Sequence, residues 1–212
     1  MKSDPSRLRN FNFVTGEIEK LDIPHIVSQQ ISAESDRPRI WTSTNIYVKS
    51  DSTEIEKSKL INIAANHART DFLWVHDCDI MLNFKSALEK FYKIENAQAI
   101  KPYKYLIRLT NDQTIDFLQN KRIDREQQSK AYPMIFGAAS FIIKKSTFLE
   151  INGMDVRYRG WGYEDFDLER RVVKKCKIIE LNGAAIHLYH QKANLNKMNE
   201  KLFQNGESIS PI

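Results

Sequence analysis

Cysteine is nearly absent from this chain. Cys78 and Cys176 are the only two among 212 residues, which excludes a disulfide framework and makes a reducing, cytoplasmic setting the default expectation. Also missing is any apolar run long enough to cross a bilayer, and the start, Met1-Lys2-Ser3-Asp4-Pro5, lacks the apolar stretch of a secretory leader. No internal repeat or low-complexity segment occurs. Nor is there a concentrated basic patch. The net charge of +5 would suit nucleic acid, an anionic membrane face or a nucleotide-phosphate ligand. However, the basic residues are dispersed, and the densest groups (Lys144-Lys145, Arg170-Arg171, Lys174-Lys175) fall where helix surfaces are expected. Scattered charge of this kind serves solubility first. Nucleic acid is therefore not an expected partner, while peripheral contact with the cytoplasmic membrane face stays open.

A hydrophobic content of 42% and a charged content of 28% describe an ordinary globular chain long enough for one domain with a full core. Helix and strand signals alternate along it. Leu8, Phe11, Val14, Ile18 and Leu21 recur at helical spacing, and His25 to Gln29 follows as a short strand. Residues 39–48, rich in β-branched and aromatic side chains, predict a second strand. Residues 54–69 predict a helix, and Phe72-Leu73-Trp74-Val75-His76 a buried strand. A helix over 84–95, a strand pair over 98–109, and a polar helix from Asn111 come next. The very polar residues 121–130 predict a surface loop, and Ile135 to Ile143 a strand interrupted by Gly137. A short helix runs on to Asn152-Gly153, and the polar tail 191–212 reads as a helix or a loose end. Strands separated by helices predict an α/β domain built on a mostly parallel mixed sheet.

Three groups of residues carry chemistry. Asp77-Cys78-Asp79 closes the apolar run, at the carboxyl edge of a strand where ligands of such sheets collect. Two carboxylates so spaced suit a hard divalent cation, although the same residues serve equally as a turn or a helix cap. Cys78 between them reads as a small apolar filler. His187 and His190 stand three apart in an apolar segment. On a regular strand they would face opposite ways, so they share a metal only if the chain turns between them; a core or surface histidine is the plainer reading of either alone. Imidazole nitrogen beside carboxylate oxygen favours Mn²⁺ over Ca²⁺ or Mg²⁺, with Mg²⁺ as the alternative. Third, Gly160-Trp161-Gly162-Tyr163-Glu164-Asp165-Phe166-Asp167-Leu168-Glu169 sets a tryptophan between two glycines and follows it with acids opening a helix. An aromatic face and a carboxylate are what a pyranose and its hydroxyl need. Acids in a first helical turn also interact with the macrodipole, worth about 0.3–1 kcal/mol each, and Asp167 and Glu169 are assigned to that role.

The order Asp-x-Asp, Phe136-Gly137-Ala138-Ala139-Ser140, Ile151-Asn152-Gly153-Met154-Asp155, Gly160-Trp161-Gly162-Tyr163-Glu164-Asp165-Phe166-Asp167, His187-x-x-His190 resembles the catalytic half of the β-1,4-galactosyltransferase family. It is also similar to bacterial polymerases of the chondroitin type. The likeness runs from about Lys57 to His190. It divides the single domain into a partial nucleotide-binding part (1–56), a catalytic part (57–190) and a tail (191–212). The resemblance implies the GT-A fold and a metal-dependent, inverting transfer of a hexose, galactose or N-acetylgalactosamine, from a UDP-sugar to a saccharide acceptor in glycan or polysaccharide synthesis. By position, Asp79, His190 and His187 would hold Mn²⁺, His187 standing where the family has a methionine. Asp77 would sit near the donor ribose or the metal shell. Asp165 would be the general base and Glu164 would hold acceptor hydroxyls. Trp161 would close over the donor, with Gly162 and Tyr163 beside it, and the Phe136-Gly137 turn would approach the sugar closely. One departure stands out: the apolar first strand of the fold, ending in a Pro-x-Arg-like loop, is not found ahead of the first helix. A noncatalytic sugar- or nucleotide-binding remnant is the second reading, and a basic accessory protein docking on anionic surfaces the third.

Overall fold

The computed structural model describes residues 4–33 and 44–206. Residues 39–43 of the second expected strand therefore lie outside the described residues. In chain order the elements are α1 (Pro5–Glu19), β1 (Ile26–Ile31), β2 (Thr44–Lys49), α2 (Lys57–His67), β3 (Phe72–His76), β4 (Ile80–Met81), α3 (Phe84–Phe91), β5 (Ala99–Lys101) and β6 (Tyr105–Arg108). These are followed by α4 (Asn111–Asn120), α5 (Arg125–Ser129), β7 (Tyr132–Pro133), β8 (Ser140–Lys144), α6 (Lys145–Glu150), α7 (Glu164–Lys175), β9 (Ile178–Glu180), β10 (Ala184–His187) and α8 (Lys197–Asn205). Among the described residues no helix is long and apolar enough to cross a membrane.

Two units are built from interleaved stretches of chain. The first takes residues 4–23, 74–142 and 177–192; the second takes 24–33, 44–73, 143–176 and 193–206. In the first, β10 pairs parallel with β6 and antiparallel with β4, while β6 pairs antiparallel with β7. A separate sheet in the order β3-β8-β5-β9 lies largely in the same unit, with β5 and β9 parallel. The core of this unit is one cluster that includes Val14, Ile80, Tyr103, Leu106, Phe117 and Leu188. Burying each such side chain is worth about 1.5–3 kcal/mol. In the second unit β1 and β2 form a parallel pair. There the buried Asn62 donates to the Met154 carbonyl and accepts from the Met154 N–H, both at 2.8 Å.

The α/β reading holds, with mixed pairing distributed over three sheets among the described residues. Several local expectations change. The strand pair over 98–109 is two strands that do not pair with each other: β5 joins β9, and β6 joins β10. Residues 121–130 contain α5, because Asp124 and Gln127 form a reciprocal capping box that starts a helix in spite of the polarity. The strand expected from Ile135 begins only at Ser140. Gly137 (φ 81°) and Ala139 (φ 64°) put the chain in the left-handed region before it can extend. The tail 191–212 carries α8, capped by Asn196, whose side chain accepts from the Met198 N–H.

Candidate active site

In the first unit, β3 ends at His76 and the chain turns, the Ile80 N–H donating to the Asp77 carbonyl at 3.2 Å. The Asp77 N–H donates to the Ala139 carbonyl at 2.9 Å, which stitches the Asp-Cys-Asp turn to the Phe-Gly-Ala-Ala turn. Strand β4 then sets Ile80 directly opposite His187 of β10. The chain leaves β10 at His187, and the departing segment is pinned by partners from elsewhere in the first unit. Leu188 N–H donates to the Asp79 carbonyl (2.8 Å) and Tyr189 N–H to the Thr114 hydroxyl (2.8 Å). Asn10 donates to the Tyr189 carbonyl (2.9 Å), and Gln191 N–H donates to the Asp4 carboxylate (3.2 Å). This bend brings the His187 and His190 rings to a centroid distance of 5.0 Å. Asp79, His187 and His190 each offer a ligand atom within 4.8 Å of the others.

The electrostatics of this cluster suit a cation. Burial pushes the His187 imidazole down to about 4, leaving a neutral ring able to donate a lone pair. The Asp79 hydrogen bond raises His190, whose Nε2 lies 3.0 Å from an Asp79 carboxylate oxygen. Burial would raise Asp79, but the His190 contact and the neighbouring positive charges outweigh it, so its carboxyl is lowered. Two nitrogens and an ionised carboxylate make a donor set that fits a divalent transition ion better than an all-oxygen cage would. Asp77 stands next to this group without belonging to it, and Cys78, although the residue as a whole is exposed, has its thiol pushed up to about 12 by burial, as an unreactive group would. Phe136 is buried in contact with Phe141, so only the backbone of the Phe136-Gly137 turn is left to face a ligand.

In the second unit, the block opened by Gly160 is held almost entirely through its backbone. Gly160 N–H donates to the Ile55 carbonyl (2.8 Å), and the Trp161 carbonyl accepts from Asn196 N–H (3.0 Å). The buried Asn199 of α8 donates to the carbonyls of Arg159 and Gly162. Gly162, at φ 113°, could not carry a side chain in place, since a Cβ there would stand 2.3 Å from a Leu195 methyl. Trp161 is left 40% exposed. Tyr163, itself left-handed at φ 69°, spends its hydroxyl on Glu200 (2.9 Å) and its ring on Phe166 and Phe203. Glu164 is buried and turns back to accept from the Gly162 N–H (2.9 Å). Lys57, at the start of α2, reaches Asp165 at 3.4 Å and Glu164 at 3.7 Å. Asp167 is buried between Arg170 (2.7 Å) and Arg171 (2.8 Å), and Arg171 also donates to the Ile151 and Gly153 carbonyls. Its place is structural, and a buried ion pair explains it better than the macrodipole. A polar cavity of about 810 Å³ lies in this unit, lined by Lys49, Asp51, Glu54, Lys59 and Arg159 among others.

Sequence reading missed three of these participants. Lys57 looks like any helix-surface lysine until the fold sets it against two acids. Asn199 sits in a tail with no apparent pattern. Arg7 reads as one more helix-surface charge until the fold sets its guanidinium 3.8 Å from Asp79.

A family model described as the N-terminal domain of galactosyltransferase matches residues 122–192, which take in the Gly-Trp-Gly block and both histidines. Among curated proteins no sequence matches the chain. The catalytic domain of Drosophila β1,4-galactosyltransferase 7, solved in complex with xylobiose, superposes with a TM-score of 0.55 at 12% identity, over 97% of this chain and 76% of that one. A mutant of the same Drosophila enzyme, solved with manganese, UDP-Gal and xylobiose, gives a TM-score of 0.48 at 15% identity, over 82% of this chain and 60% of that one. The present chain thus spans about three-fifths to three-quarters of these structures. Its fold is the GT-A fold, and it resembles the β-1,4-galactosyltransferase family.

Proposed function

We propose that this protein is a metal-dependent, inverting glycosyltransferase that moves a hexose, galactose or N-acetylgalactosamine, from a UDP-sugar to a saccharide hydroxyl. The observation that carries the reading is the Asp79–His187–His190 cluster, which distant segments assemble within 4.8 Å. Those three residues would hold Mn²⁺. Bound there, the ion supplies charge neutralisation for a departing diphosphate.

The chain's own residues do the rest. A sugar hydroxyl ionises far above neutral pH, so its attack needs a base within hydrogen-bond reach; Asp165 takes that proton. Lys57 gives the Asp165 carboxylate a cationic neighbour that fixes its orientation. Glu164, already bonded to Gly162, keeps further lone pairs for acceptor hydroxyls. The exposed face of Trp161 covers the apolar side of a sugar ring and excludes water, limiting hydrolysis of the donor. In the first unit the Gly137 backbone and Asp77 serve the donor; in the second, the polar cavity beside Arg159 suits the hydroxyls of an extended acceptor. A base acting on the acceptor hydroxyl as it attacks directly gives single displacement, hence inversion. Both cysteines are free thiols, which suits synthesis in a reducing compartment.

The test is incubation with Mn²⁺ and a panel of UDP-sugars, following UDP release. Asp165→Asn should slow transfer by about 10²-fold or more and leave calorimetric donor binding unchanged. Loss of donor binding as well would move Asp165 from base to binding residue. Failure of every UDP-sugar to bind in the presence of Mn²⁺ would leave a noncatalytic remnant as the better account.

A further inference from the structure

Behind the Asp-Cys-Asp turn runs a chain of hydrogen bonds that the proposed chemistry does not use. The Trp74 indole N–H donates to the Ser140 hydroxyl at 2.8 Å. Ser140, buried, lies 2.9 Å from His76 Nδ1, and His76 Nε2 lies 2.8 Å from the Ile80 carbonyl. Donor and acceptor inventories fix the direction of every link. Indole nitrogen only donates, so Ser140 accepts from it and sends its own proton onward. A carbonyl only accepts, so His76 carries a proton on Nε2, and a ring kept neutral by burial then presents Nδ1 as the acceptor for Ser140. His76 is thereby locked as one neutral tautomer, and burial, which holds its pKa down to about 4, agrees with that state. The ring cannot drift either, packed edge-on against Phe84 at 5.0 Å and Trp74 at 6.5 Å.

The end of this relay matters because of what Ile80 adjoins. It follows Asp79 in the chain, donates its N–H to the Asp77 carbonyl, and is the register partner of His187. A bond on its carbonyl therefore fixes both the peptide beyond Asp79 and the strand pairing that sets His187 beside it. We propose that His76 is a positioning residue for the Asp79–His187–His190 cluster, acting through the Trp74–Ser140–His76–Ile80 relay. The proposal rests on the metal reading above.

Metal affinity of the whole chain without substrate tests it, with free Mn²⁺ followed by electron paramagnetic resonance. His76→Phe keeps the ring packing and removes both bonds, and Ser140→Ala cuts the relay upstream with a smaller change of shape. Partners that orient ligands are worth about 10–100-fold in metal affinity. Acting one residue removed, His76→Phe should cost about tenfold, and Ser140→Ala less. Ile100→Val, buried in β5, supplies a control that lowers the melting temperature without touching the relay. Nitrogen NMR of the imidazole should show the Nε2–H tautomer in the parent chain. The inference falls if that tautomer is Nδ1–H, or if both relay variants bind Mn²⁺ like the parent. It also falls if the control weakens binding as much per degree of melting temperature lost. A parent chain that binds no Mn²⁺ removes the metal reading and this inference together; a parent that binds with unaffected variants removes the inference alone.

Discussion

Gly162→Ala separates two kinds of constraint on the tryptophan loop, and the structure gives a magnitude for each. At φ 113° the backbone lies where side chains are rarely tolerated, a strain of about 1–3 kcal/mol. The added Cβ would also stand 2.3 Å from the Leu195 Cδ1 but 3.7 Å from Cγ. Only the terminal methyl collides. Leu195 is 44% exposed and free to rotate away, at about 0.5–1.5 kcal/mol for an unfavourable rotamer. The substitution should therefore cost about 1.5–4.5 kcal/mol in urea unfolding. In a Leu195→Ala background the collision disappears and the backbone strain remains, so about 1–3 kcal/mol should persist. Were Gly162→Ala harmless, or harmless once Leu195 was trimmed, the left-handed geometry of this loop would not be a real constraint.

Two further outcomes follow from the buried charges. The Asp79 contact raises His190 above its ordinary value, so a proton on His190 competes with any metal. Mn²⁺ affinity should be flat above that raised pKa and fall below it by about tenfold per pH unit, one proton being displaced. The metal-free protein should behave inversely. The His190 contribution to its stability is full below the unfolded histidine value and fades as pH rises through the folded one. Calorimetric titration with Mn²⁺ across this range checks the first claim, and an affinity indifferent to pH would refute it. Asp167→Asn leaves Arg170 and Arg171 facing a neutral amide. Arg170 keeps 30% of its side chain in solvent, so the loss should sit near the low end of about 3–5 kcal/mol. Urea unfolding would contradict this with a loss below about 1 kcal/mol.

Local chemistry was legible in the sequence, and long-range partnership was not. The alternation of elements follows from periodicity and turn residues. The Asp124-x-x-Gln127 box was also spelled out, and only the polarity around it suggested a loop. By contrast, nothing local in Ala99–Lys101 or Tyr105–Arg108 says that these strands join different sheets, because a strand's period shows which face it buries and not what it pairs with. The histidines illustrate the same limit. Their spacing required a bend to make them one site, and the bend is imposed by Thr114, Asn10 and Asp4 from elsewhere in the chain. Lys57 and His76 escaped notice for a related reason: each becomes informative only through what folding sets beside it.

The cross-strand seam between β4 and β10 has a kinetic meaning as well. Asp79 and the two histidines come together only when a two-residue strand finds a partner far along the chain, so the loop-closure entropy of a long intervening segment opposes every encounter. Before that seam closes, Asp79 and the two histidines lie far apart in the chain and offer an ion no shared site. A divalent ion would therefore favour the folded form, and bound metal would act as a clasp on a long-range contact. Breaking that contact would then also require releasing the ion, which raises the cost of opening the first unit.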